Sequence, residues 1–162
     1  MKTYLVGYEK LNFNQFVDLL KRANIDYLID IRENPYSKKK EFSKNFLQIE
    51  LEKKGIHYIH LQKLGNPSFI RRNYKDTKLV LKKYSDYIES VLTTDLEDKI
   101  KNLLAKGNIA FMCLEKNPFE CHRTILAYYL LEKGIIDSFT DLRNPTLTDK
   151  LIIFAKEIVK GK

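Results

Sequence analysis

Short apolar runs alternate along this chain with longer segments whose apolar residues recur every three or four positions. That alternation of strand-like and helical stretches predicts a sheet covered by helices. The run from Tyr4 to Gly7 reads as the first strand. A helix follows, capped by Asn12, with Phe13, Phe16, Val17 and Leu20 on one face. Tyr27 to Ile31 is the second strand. Ser43 is placed to cap a helix with Phe46, Leu47, Ile49 and Leu51 inward and Gly55 as its stop, and Ile56 to Leu61 gives a third strand.

Between residues 75 and 106 the pattern turns helical twice, through Leu79, Leu81, Tyr84, Tyr87 and Ile88, then through Leu96, Ile100, Leu103 and Leu104 to Gly107. Ile109 to Leu114 is the fourth and most apolar strand, which predicts a central position. The next helix turns Ile125, Leu126, Tyr129 and Leu130 inward and stops at Gly134. Ile135 to Phe139 reads as a short edge strand and Leu147 to Val159 as a closing helix. The expected architecture is a single three-layer α/β domain over residues 1–162, with a mostly parallel central sheet of about five strands and helices on both faces.

Composition supports one ordinary core. A chain of 162 residues, 44% hydrophobic, can bury roughly 70% of its unfolded surface without a disulfide or metal staple. No apolar run approaches the ~20 residues that span a bilayer, and the N-terminal run is too short for a signal peptide, so no membrane role and a cytoplasmic location are expected. Two cysteines in such a chain are expected as thiols. The net charge of +8 favours anionic partners, although lysine-rich helix faces account for much of it.

All four prolines follow asparagine, at Asn34-Pro35, Asn66-Pro67, Asn117-Pro118 and Asn144-Pro145, each a few residues beyond a predicted strand. In a parallel sheet such loops gather at the carboxyl edge, where open α/β folds bind ligands. Several candidate groups map to that rim. Asp30 and Arg32 share one side of the second strand's end, either as an ion pair or ligand-binding couple, or as a turn cap beside a solvated arginine. His60 ends the third strand and is the better rim candidate, whereas His57 at its start packs or faces water. Ser37, the run Lys38, Lys39, Lys40 and Lys44, Gly65, and the pair Arg71 and Arg72 occupy the loops.

Cys121-His122-Arg123 is the densest chemical cluster, a soft nucleophile, a base and an anion clamp at a predicted helix start, where free N-H groups favour anions and thiolates. Cys113 and Glu115 lie just upstream. Cys113, Cys121, His122 and His60 include the residue types of a zinc site, but the spacing matches no paired structural pattern, so no metal and no cofactor are expected.

Together these residues resemble the family catalogued as domain of unknown function 488, a widespread prokaryotic group. The matching pieces are Gly7-Tyr8, Asp30-Ile31-Arg32 with Pro35, Ser37 and Phe42, Gly55-Ile56-His57-Tyr58, Leu64-Gly65, Cys113-Leu114-Glu115 and Cys121-His122-Arg123. Leu114 departs from the family's usual Cys-Ala-Glu. The resemblance implies an α/β domain with a polar pocket built from these motifs, which brings Tyr8, Ser37, Gly65 and Cys113 in as lining residues. It supplies no reaction.

The expected function is an enzyme acting on an anionic nucleotide or nucleic-acid substrate. Arg32 and Arg123, with Arg71 and Arg72, would hold negative charge, and His122 or Glu115 would move a proton. Asp30 would orient an arginine or polarise a hydroxyl, and Cys121 is either a nucleophile or a small residue shaping the helix start. The alternatives are a non-catalytic nucleic-acid or nucleotide binding module and a thiol redox protein using Cys113 and Cys121.

Overall fold

The computed structural model describes residues 1–161; residue 162, the last position of the expected domain, lies outside the described residues. Five strands, β1 (Thr3–Gly7), β2 (Tyr27–Asp30), β3 (His57–His60), β4 (Ile109–Cys113) and β5 (Thr140–Asp141), form one sheet in the order β3-β2-β4-β1-β5. Every pairing is parallel. The sheet is thus all-parallel, and β4, buried at all five positions, occupies its centre as its apolar sequence predicted.

Alternation along the strands divides the core in two. Val6, Leu28, Ala110 and Met112 face α1 (Phe13–Arg22) and α2 (Lys44–Glu52) through Phe16, Leu20, Leu47 and Leu51. Leu5, Ile29, Ile109 and Phe111 belong to the opposite cluster, built with α4 (Thr77–Val91), α5 (Thr94–Lys106), α6 (His122–Glu132) and α7 (Thr148–Lys160). The short α3 (Ser68–Asn73) precedes α4 on the loop after β3. No helix among the described residues is long and apolar enough to cross a membrane.

Local rules explain most boundaries. Asn12 caps α1 in a reciprocal capping box with Gln15, and Gly134 beyond α6 takes a left-handed φ of 71°. Three expectations are corrected. Ser43 makes no side-chain cap; its hydroxyl instead pairs with the backbone of Ser37, because a 3-10 turn over Lys40–Phe42 already leads into α2. The nine-residue α2 buries only Leu47 and Leu51, one turn apart, and leaves Phe46 and Ile49 outward. The last strand starts at Thr140 rather than Ile135. The amides of Ile135 and Ile136 both return to the Leu130 carbonyl, so that apolar stretch closes α6 and packs into the core instead of pairing.

Candidate functional site

The register sets Gly7 beside Cys113 and Asp30 beside Met112, so the loops leaving β1, β2 and β4 emerge together. β1 and β2 lead to helices on one face and β4 leads to α6 on the other. Between such strands the departing loops separate and leave a crevice at the carboxyl edge. A cavity of about 230 Å3 lies there, lined by residues from four loops, by Cys113 at the end of β4, by Arg71 of α3 and by His122 of α6.

Arg32 forms one wall. Its Nε donates to Asp30 Oδ1 at 2.9 Å and its Nη2 to Asp30 Oδ2 at 2.7 Å, while Nη1 reaches the Tyr8 hydroxyl at 3.2 Å. Asp30 is fully buried and also accepts from the Tyr58 hydroxyl at 2.5 Å. Burial opposes the Arg32 charge, but the Asp30 carboxylate more than offsets it and raises the guanidinium's affinity for its proton. Burial, followed by the Asp30 charge, pushes the Tyr58 hydroxyl well up and keeps it a donor. Tyr8 stacks on Phe42 with ring centroids 4.4 Å apart and carries the Arg32 guanidinium over its ring.

Two histidines pin the loop after β2. His122 Nε2 donates to the Ile31 carbonyl and His60 Nε2 to the Arg32 carbonyl, both at 2.7 Å. His122 lines the cavity, whereas His60 is outside its lining. Burial, opposed by that hydrogen bond, lowers the His122 pKa to about 4. The ring is therefore neutral, protonated on Nε2, with Nδ1 free to accept.

Cys113, Leu114 and Glu115 also line the cavity. Burial raises the Glu115 carboxyl pKa, and its Oε2 is sealed from solvent with no hydrogen-bond partner. Asn66 Oδ1 is a second buried oxygen without a partner. Both residues line the cavity. Unmet acceptors of this kind are uncommon in folded proteins and point to a donor supplied from outside.

Arg123 does not face this space. Its fully buried guanidinium donates to Asp141 at 3.1 Å, to the Glu115 carbonyl at 2.6 Å, to the Lys116 carbonyl at 3.2 Å and to Cys113 Sγ at 3.3 Å. Its hydrogen-bonding capacity is largely engaged, and its effect is to hold the Cys113–Glu115 segment in place. Cys121, the N-cap of α6, lies behind the cavity wall, where its sulfur meets that of Cys113 as a disulfide pair. Of the other expected site residues, Arg71 lines the cavity and sits 3.5 Å from Glu33, while Arg72 and Ser37 lie outside it. Gly65 lets the β3 loop pass against Glu33 and Arg32, since a Cβ there would come within 2.8 Å of the Arg32 carbonyl carbon. Gly7 does the same against Glu115 and Arg123.

Glu33 and Tyr36 of the lining were not singled out from sequence, although they sit between Arg32 and Ser37, and Asn34 was visible only through its Asn-Pro step. Asn66 was visible only as part of a stiff Asn-Pro loop. Tyr58, the buried partner of Asp30, is marked in the sequence only as part of Gly55-Ile56-His57-Tyr58, and Asp141, the partner of Arg123, lies beyond the expected last strand.

An all-parallel α/β core with a cavity of mixed charge at its carboxyl edge is the class of protein that fold and site define. The chain belongs to the family described as domain of unknown function DUF488, whose model matches residues 12–130. The match takes in Asp30 to Arg123 and leaves Gly7 and Tyr8 outside. No curated protein and no solved structure matches the chain.

Proposed function

We propose that this protein is an enzyme acting on an anionic nucleotide or nucleic-acid substrate, one nucleotide unit of which enters the cavity. The observation that carries this reading is one cavity lined both by two guanidinium-bearing residues, Arg32 and Arg71, and by Glu115, whose carboxyl oxygen is unpartnered. Guanidinium forks match phosphate oxygens in geometry and charge. Arg32, whose Nε and Nη2 are engaged by Asp30, offers its Nη1, and Arg71 exchanges its long contact with Glu33 for the ligand's phosphate. Glu115 moves the proton, and Asn66 Oδ1 accepts from an N-H of the base. His122, whose Nε2 is committed to Ile31, positions the Arg32 loop in this reading. A volume below the roughly 300 Å3 common for larger ligands suits a single unit.

Calorimetric titration with the four nucleoside 5′-monophosphates tests this. Saturable binding of at least one is expected, weakened roughly tenfold or more by Arg71→Ala, in line with the strength of charge-assisted hydrogen bonds. No binding by any of the four, or an affinity untouched by Arg71→Ala, removes the proposal. The exposed Lys38, Lys39 and Lys40 beside Tyr36 favour a second reading, a non-catalytic nucleic-acid module.

A further inference from the structure

We infer that Cys113, Cys121 and His122 form a soft-metal site, of the zinc class, whose open coordination position faces the cavity beside Glu115. The sulfur atoms and a ring nitrogen of these three buried residues all lie within 4.8 Å of one another. Cys121 Sγ and His122 Nδ1 are 3.8 Å apart. Two donors on one tetrahedral zinc, with bonds of about 2.3 Å to sulfur and about 2.05 Å to nitrogen, stand roughly 3.6 Å apart. That pair is spaced as ligands of a shared ion, while the two sulfurs, joined as a disulfide pair, must be reduced and part for the ion to enter between them.

The surroundings are those of a ligand set. His122 Nε2 donates to the Ile31 carbonyl, which fixes the tautomer and aims the Nδ1 lone pair toward the sulfurs, the arrangement that orients metal-binding histidines. The Arg123 amide donates to Cys121 Sγ at 3.5 Å and its guanidinium to Cys113 Sγ at 3.3 Å, so both sulfurs meet donors that stabilise thiolates. The Cα atoms of the two cysteines are 7.6 Å apart, wider than the roughly 4.4–6.8 Å of ordinary disulfides and suited to two thiolates sharing an ion.

Three protein ligands leave the fourth position open, as in catalytic rather than structural zinc sites. Cys113 and His122 line the cavity and Cys121 stands behind it, so the opening faces the cavity and Glu115. Sequence spacing hid the set because one cysteine ends β4, the other caps α6, and the fold brings them together. Loading follows reduction: a dithiol reductant converts the disulfide pair to two thiols and is itself oxidised to a disulfide, and the two thiols, one neutral imidazole and one divalent ion then give a dithiolate-imidazole complex and two released protons. No nucleotide is needed for any part of this site.

The test is anaerobic cobalt titration of the full chain after reduction and chelator treatment. One equivalent per chain is expected, with thiolate-to-cobalt charge-transfer absorption and tetrahedral d-d bands, bleached by one equivalent of zinc. Cys113→Ser and Cys121→Ser should each weaken the charge-transfer band, and His122→Gln should shift the d-d bands. Glu115→Gln should retain full stoichiometry. Circular dichroism of each variant separates loss of a ligand from loss of fold, and Glu115→Gln with the unaltered chain keeps the test decisive if a cysteine variant unfolds. Failure of the reduced chain to take up cobalt with thiolate absorption overturns the site, whatever the nucleotide titrations show. An active thiol redox couple would give that same negative result and then re-form its disulfide in air.

Discussion

Arg32 and Asp30 meet fork to fork across one strand end, with two side-chain hydrogen bonds of 2.9 and 2.7 Å and both residues nearly or fully buried. Breaking such a pair from one side leaves a charge in low dielectric without its partner, a loss of about 3–5 kcal/mol. Asp30→Asn is expected to destabilise the chain by that order in urea denaturation. Arg32→Lys should also destabilise it, because an ammonium cannot reproduce the two-pronged contact.

His122 carries a pH signature. Its native pKa is near 4 and its unfolded value near 6.5, so between those values the unfolded chain binds the extra proton. Its contribution is present in full above pH 6.5 and is lost as pH falls from 6.5 to 4, a change on the order of 3 kcal/mol. Unfolding free energies measured across that window with chelator present should fall accordingly, and His122→Gln should flatten the curve.

Gly7→Ala should disturb the cavity without removing any charged group. A Cβ at Gly7 would run into the Glu115 carbonyl and come within 3.0 Å of Arg123 Nη1. Overpacking of this kind costs about 1–3 kcal/mol. Thermal unfolding should register that loss, and nucleotide affinity should fall with it because the Glu115 wall is pushed outward.

Salt separates the two functional readings. A nucleic-acid surface using Lys38, Lys39 and Lys40 should lose affinity steeply as salt rises from 50 to 200 mM, with a log-log slope that grows with each phosphate contacted. A buried single-nucleotide site should respond weakly over the same range. Fluorescence anisotropy of a labelled single-stranded oligonucleotide, set beside the monophosphate titrations, measures both.

Much of the sheet was legible because β4 is apolar at every position and a parallel strand buried on both faces has no reason to alternate. The Asn-Pro punctuation likewise marked the loops that gather at one edge. Ile135 and Ile136 misled because an apolar pair after a helix packs equally well as a helix closure or a strand, and periodicity cannot tell these apart. At the site, the Asp30-Ile31-Arg32 spacing foretold a shared side. The inward turn of Arg123 was not readable, since its partner Asp141 lies 18 residues away on a strand only two residues long.

The paired imidazoles on the carbonyls of Ile31 and Arg32 come from β3 and α6, elements on either flank of the β2 loop. Adjacent peptide groups leading to one guanidinium are thus held from two separate elements. Through His122 the sulfur pair and the backbone that carries Arg32 share one anchor.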